Sequence, residues 1–427
     1  MQNKIEKPVV IIGAGIIGLF SAYYISKSGR KAILIDSSDG SEGCSFGNAG
    51  MVVPSHFMPL AAPGMIEKGL KWMMDSQSPF YVKPRFSWSL LKWGINFYKS
   101  ANSKKVDLAI PALRDLGLLS KKLYKELNDE NLFDFNFEEK GLLMYCKSQE
   151  VLDEEAHVAE IANKIGIEAN VLNSDQINKL EPELSPNVAG GVFFTGDAHL
   201  YPNKLVKNLK QYLIANGAKF IYNSEVVDFE IEDNSIEKVK IKKEDTFEII
   251  TCSEVVLAAG SWSELLARKL SLNLPVQGGK GYSITEQQRV GKRINIPSIF
   301  VEARVAITPM DQTLVRFGGT MEIGGLNDKI NLNRVKGILK AIPTYYPDYT
   351  VSLPTLDKIW YGLRPCSPDG LPYIGRINKI KNLIVNSGHA MMGISLASGS
   401  GKLIAELINN SKPSLDIQQF EVERFDK

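Results

Sequence analysis

Three glycines near the N-terminus stand at a spacing that can hold a diphosphate. They are Gly13, Gly15 and Gly18 in the run Gly13-Ala14-Gly15-Ile16-Ile17-Gly18. A β-branched apolar stretch, 9–12, precedes them, and a helical stretch, 19–28, follows. A second apolar run, 31–35, closes on Asp36, which lies 18 positions after Gly18. The first glycine of such a run permits the tight turn. The second lets the backbone approach a pyrophosphate, and the third lets helix and sheet pack closely. The helix N-terminus then offers N–H groups and the positive end of its dipole to the anion. The carboxylate of Asp36 is suited to ribose hydroxyls. The unit takes about 30 residues, as a βαβ crossover does. It predicts a dinucleotide site, and a nicotinamide or a flavin dinucleotide satisfies it equally.

Later segments favour the flavin. Ser45-Phe46-Gly47-Asn48-Ala49-Gly50 supplies a hydroxyl, an amide and closely spaced backbone N–H groups, suited to an isoalloxazine edge and a pyrophosphate. Gly388-His389-Ala390-Met391-Met392-Gly393-Ile394 follows another apolar run and precedes a helix expected to begin near Ser398-Gly399-Ser400-Gly401. Backbone dipoles there can stabilise negative charge on a reduced ring. The apolar run Val255-Val256-Leu257-Ala258-Ala259-Gly260 reads as a further buried strand ending on glycine. The cofactor-binding set is therefore Gly13, Gly15, Gly18, Asp36, Ser45, Asn48, Ala49, Gly50, Val227, Gly260, Gly388, His389, Met392, Gly393 and Ile394.

The order of these motifs resembles the D-amino-acid oxidase superfamily of FAD oxidoreductases, and within it the bacterial D-amino-acid dehydrogenases. Also carrying the resemblance are Ala61-Ala62-Pro63-Gly64 with Leu70-Lys71-Trp72, Lys280-Gly281-Tyr282-Ser283-Ile284-Thr285 and Gly362-Leu363-Arg364-Pro365-Cys366-Ser367-Pro368-Asp369-Gly370. Together these cover nearly the whole chain. The family usually carries Glu where this chain has Asp36. Glycine oxidases and hydroxyproline dehydrogenases share the Gly-Leu-Arg-Pro motif.

The resemblance implies noncovalent FAD and hydride transfer from a substrate Cα to flavin N5. The resulting imine hydrolyses to a keto acid and ammonia, and electrons pass to a quinone-type acceptor. It implies that Arg364 binds the substrate carboxylate, which a guanidinium fork matches in bidentate fashion. Tyr282 is either a hydroxyl over that carboxylate or a core tyrosine. His56 either lines the substrate entrance or is a plain loop residue. Cys366 is offset from the position at which some relatives attach flavin covalently. Alternatives within the superfamily are a D-hydroxyproline or proline dehydrogenase and a glycine or sarcosine oxidase. Outside it stand an NAD-dependent dehydrogenase and a flavoprotein without turnover.

A chain of 427 residues is long for one core. Nucleotide-binding pieces recur at its start, middle and end, so the second domain must be interleaved. The expected fold is α/β (mixed α+β): a Rossmann-like FAD-binding domain from residues 1–60, 150–270 and 355–427, and an antiparallel-sheet substrate domain from 61–149 and 271–354. Antiparallel strands are expected at 275–285, 298–308 and 314–320, with helical patterning dominant over 88–127.

Fifty basic against 48 acidic residues give a net charge of +2, which provides no field for nucleic acid. The four cysteines and four histidines are scattered, so no metal site is expected. The glycines inside 9–20 and the lack of a following cleavage signal argue against an export leader. No apolar run is long enough to span a membrane. The chain is expected to be cytoplasmic. Met58 and the stretch 60–74, with Met65, Trp72, Met73 and Met74, offer a peripheral contact with the inner face of the cell membrane, or else a core or channel wall.

Overall fold

The computed structural model describes residues 7–41, 43–64, 67, 69 and 78–426. Two sheets carry the architecture. In the first, six strands run in the order Tyr373–Arg376, Leu383–Ser387, Glu254–Leu257, Val9–Ile12, Ala32–Ile35, Lys219–Ile221. All pairs are parallel except the edge pair made by Tyr373–Arg376. The central strands are apolar and buried along nearly their whole length, as both-face coverage demands. Helices Ile16–Lys27 and Gly393–Ile408 pack together against this sheet.

The second of these helices begins at Gly393, ahead of the expected start at Ser398. Gly399 and Gly401 therefore lie mid-helix. A Cβ on Gly401 would press on the backbone of Phe20, and one on Gly399 would crowd Leu116 and Ser120 of the helix Ser103–Asp129. Their small size serves helix contact, not a helix start.

The second sheet has nine strands. Eight run in the order Trp360–Cys366, Gln277–Gln287, Leu314–Ile323, Val305–Pro309, Ser298–Phe300, Leu142–Cys146, Gly190–Phe194, Ala169–Asn173. Phe80–Val82 pairs parallel to Leu314–Ile323. Helix Leu332–Tyr345 covers one face, where Tyr345 stacks on Phe300 at 4.0 Å between ring centroids. A three-stranded meander, Glu225–Glu232, Ser235–Lys243 and Thr246–Thr251, projects from the first sheet's side of the chain.

These pairings correct the domain boundaries. The expected boundaries place residues 150–194 and 360–366 in the nucleotide-binding domain. Their strands hydrogen-bond into the nine-stranded sheet instead. The helical patterning over 88–127 resolves into two helices, Trp88–Ser100 and Ser103–Asp129. Asn102 breaks it by adopting an extended backbone and accepting a hydrogen bond from Lys105 N at 3.1 Å, an N-cap. Of the apolar stretch at 60–74, Met65, Trp72, Met73 and Met74 lie outside the described residues. Leu60 packs inward beside Trp93 and Cys366.

Candidate active site

The carboxyl ends of three neighbouring parallel strands converge, and each runs into glycine. Val9–Ile12 leads to Gly13, Glu254–Leu257 to Gly260, and Leu383–Ser387 to Gly388. Gly13 and Gly388 have φ of +106° and +81°, a region that strains residues with a Cβ. A Cβ on Gly13 would overlap the Ala258 carbonyl, and one on Gly18 would overlap the Gly13 carbonyl. Gly15 differs. Its Cβ would meet only Ser45 Oγ, at 3.7 Å, and Gly393 at the other helix start faces nothing within 4 Å. Two glycine helix N-termini thus leave their backbones approachable, which fits a dinucleotide diphosphate and an electron-rich ring.

The predicted polar partners gather there. Ser45 Oγ accepts from Ile16 N at 3.1 Å, in the first turn of the helix. Asp36 accepts from Ala14 N at 2.7 Å and from Ser38 N and Oγ at 2.9 and 2.6 Å. Asn223 N and Ser224 N donate to the carbonyls of Ser38 and Asp36, so the chain entering the meander flanks Asp36. Val227 follows at a register shift between Val226 and Asp228. Asn48 turns back on its own loop, accepting from Gly50 N at 2.9 Å. Ile394 is buried, and its carbonyl accepts from Tyr124 at 2.7 Å. Met392 N donates to the His389 carbonyl at 2.8 Å in the turn before the helix.

The loop 45–50 is fastened to the nine-stranded sheet by residues that sequence reasoning missed. Arg316 is buried, and its Nη1 donates to the carbonyls of Phe46 and Asn48 at 2.9 and 2.7 Å. Its Nε and Nη2 donate to Thr285 Oγ1 and Asn203 Oδ1 at 3.0 and 2.9 Å. Burial pulls its pKa down to about 10, so it remains a cation at neutral pH, held by neutral acceptors. Ser283 Oγ donates to the Gly47 carbonyl at 2.8 Å. The Trp360 indole lies so close over Gly47 and Gly362 that a Cβ on either would overlap it. Alternation hid Arg316: Val315 and Phe317 on either side of it face the core, so the pattern alone would turn it to solvent.

Arg364 lies on the same face of the sheet. Its guanidinium spreads over Gly281, where a Cβ would overlap it, and it donates to the Thr320 carbonyl. Among the described residues no carboxylate pairs with it, and burial lowers its pKa. Thr320 has a φ of +63° within a register shift opposite residues 280–282. The irregularity turns its carbonyl toward the guanidinium, as bulges near sites re-aim groups. Its buried Oγ1 has no hydrogen-bond partner.

Tyr282 is not brought to Arg364. In the regular antiparallel pairing Gly281 sits opposite Gly362 and Gly279 opposite Arg364, so Gly279, Gly281 and Ser283 share the Arg364 face. Tyr282 points to the other face, into the core with Phe317 and Ile338, and accepts from Asn331 N at 3.1 Å. Of its two expected roles the core one is observed.

A second polar group lies beneath the loop. Ser55 donates through Oγ and N to the buried carboxyl of Asp197, at 2.5 and 3.2 Å, and stands 3.2 Å from His56 Nδ1. Burial pushes Asp197 up to about 7 and His56 down to about 4. His389 is pushed down to about 3, and its Nε2 lies 2.9 Å from Ser400 Oγ. Burial raises the Cys366 thiol to about 11, the opposite of activation. No cluster able to hold a metal occurs among the described residues.

A two-glycine-helix cradle on a mainly parallel sheet, faced by a mainly antiparallel sheet bearing a half-buried arginine, fits a flavin oxidoreductase. The chain belongs to the FAD-dependent oxidoreductase family DAO, whose model matches residues 8–407. It is similar to a D-amino acid dehydrogenase of Helicobacter pylori strain J99, 32% identical across 97% of this chain and 98% of that protein. Its fold is similar to the crystal structure of glycine oxidase from Geobacillus kaustophilus, with a TM-score of 0.78 and 21% identity over 98% and 99% of the two chains. It is also similar to L-proline dehydrogenase from P. horikoshii, with a TM-score of 0.72 and 20% identity over 99% and 98%.

Proposed function

We propose that this flavoenzyme oxidises D-amino acids to keto acids and ammonia, passing the electrons to a quinone-type acceptor. The observation that carries the reading is Arg364: a half-buried guanidinium without an acidic partner among the described residues, over Gly281, on the sheet face that also fastens the flavin loop. A partly desolvated cation held by a carbonyl is costly, and an incoming carboxylate relieves that cost. Glycine at 281 leaves the space above the strand to the guanidinium itself, which a Cβ there would displace.

FAD is held noncovalently. Gly13, Gly15 and Gly18 with Ser45 hold the diphosphate, Asp36 a ribose, Val227 the adenine side, and Ala49, Gly50, Gly260 and the turn from Gly388 to Ile394 the ring. When bound, FAD would accept the hydride, with the electron pair of the Cα–H bond, and would later pass two electrons to the acceptor. The amine lone pair forms the C=N bond and a proton leaves nitrogen. Water then adds to the imine and expels ammonia. Arg364 fixes the carboxylate and so the position of Cα; Thr320 steadies Arg364 through its carbonyl. Arg316 and Trp360 fix the loop, and the protein supplies no nucleophile.

An anaerobic screen tests this. Bleaching of the bound flavin by D-alanine and other D-amino acids, with none by their L-isomers, is the expected result. Preference for glycine, sarcosine, a hydroxyproline or an L-isomer would overturn the substrate assignment. Rapid peroxide formation in air would overturn the acceptor assignment.

A further inference from the structure

Helix Trp88–Ser100 has two unlike faces. Inward, Leu90, Trp93 and Phe97 pack with Met321, Ile323 and Cys366, and Trp93 Nε1 donates to the Cys366 carbonyl at 2.8 Å. That carbonyl is two residues from Arg364. Outward, Trp88, Leu91, Ile95 and Tyr98 form a stripe at helical spacing, exposed to 73%, 53%, 48% and 72%, with Phe86 just ahead at 90%. Phe86 and Trp88 stand edge to face at 5.7 Å. Lys92 and Lys99 lie on the same exposed side. Trp262 and Leu265 are likewise exposed beside the helix start, where Ser89 donates to Glu264 at 2.6 Å.

The charge of this region is one-sided. Residues 78–106 hold six basic side chains (Lys83, Arg85, Lys92, Lys99, Lys104, Lys105) and no acidic one, in a chain whose charges nearly balance. Five of the six are exposed, all but Arg85, and among the described residues none of the five is in an ion pair. Glu264, which accepts from Ser89 of this helix, is paired to Arg268 at 2.7 Å. A stripe of large apolar and aromatic side chains edged by unpaired lysines is the pattern of a helix lying in a membrane interface. Basic residues there favour an anionic leaflet.

We infer that the outer face of helix Trp88–Ser100 docks the enzyme on an anionic phospholipid bilayer. The helix then stands between the lipid and the Arg364 face, so an acceptor dissolved in the bilayer need cross only one layer of side chains. The docking is independent of the reaction; acceptor delivery rests on the function proposed above.

Flotation of the full-length, flavin-loaded protein with vesicles tests it. Binding to vesicles containing phosphatidylglycerol, much weaker binding to pure phosphatidylcholine and release by salt are expected. The double variants Trp88→Ser/Ile95→Ser and Lys92→Glu/Lys99→Glu should each bind at least about tenfold less. Both should keep turnover with a water-soluble dye, because these side chains face away from the site. Failure of the wild type to bind the anionic vesicles, or undiminished binding by both variants, would overturn the inference. So would a dimer that either variant dissolves, which would give the face to a second copy. Absence of dye-coupled turnover with any D-amino acid would instead count against the proposed reaction and leave the vesicle result standing.

Discussion

Arg364 is the residue on which substrate binding turns. Arg364→Ala should keep its flavin. Truncating one partner of a buried hydrogen-bonded charge pair costs roughly 2–5 kcal/mol, a loss of about thirty- to several-thousand-fold in kcat/KM. Arg364→Lys should recover only part, since a point charge cannot reproduce a two-pronged contact. Steady-state dye assays check this, and near-unchanged kcat/KM in the alanine variant would make the arginine structural. Gly15 and Gly18 should separate binding from folding. Gly15→Val meets open space, so it should fold and lose FAD, whereas Gly18→Ala collides with the Gly13 carbonyl and should lower the melting temperature. Thermal scans with flavin absorbance of the same samples distinguish the two, and a Gly15→Val protein with full flavin content would mean the dinucleotide lies elsewhere. Arg316→Ala should cut flavin retention while leaving Arg364 in place, because it releases the Phe46 and Asn48 carbonyls.

At the scale of elements, local features were legible and pairings were not. The glycine fingerprint and Asp36 lie within one βαβ unit, where spacing along the chain is spacing in space. Arg364 was found through a motif. Thr320, Trp360 and Arg316 owe their placement to the register of three strands distant in sequence. That register also sends Tyr282 away from Arg364, since a one-residue step in a strand changes the face. The boundary at residue 150 failed for the same reason: nothing local in 169–194 says which sheet it joins.

The short pairing of Met51–Val52 with Ala198–His199 carries a pH dependence. Asp197 beside it is pushed up to about 7, against about 4 in the unfolded chain. Between those values the folded state binds more protons, so this group's contribution to stability falls as pH rises from about 4 to about 7. His56 and His199, both pushed down to about 4, act oppositely, losing stability as pH falls below about 6.5. Asp197→Asn removes only the first effect. Its melting temperature relative to wild type should therefore improve from pH 5 to pH 8, and a pH-independent difference would refute the assignment.

The whole molecule sets a mainly parallel sheet that can cradle a dinucleotide against a mainly antiparallel sheet that presents Arg364, without a carboxylate partner among the described residues. No helix among the described residues is long and apolar enough to cross a membrane. The most direct test of the central claim is the absorbance of the bound flavin, followed anaerobically while D- or L-amino acid is added to wild type and to Arg364→Ala. The account predicts full bleaching of wild type by the D-isomer alone. It also predicts the same yellow spectrum in the variant, bleached only at far higher substrate concentration or far more slowly. Bleaching of wild type by the L-isomer, or equal bleaching of the two proteins by the D-isomer, would contradict it.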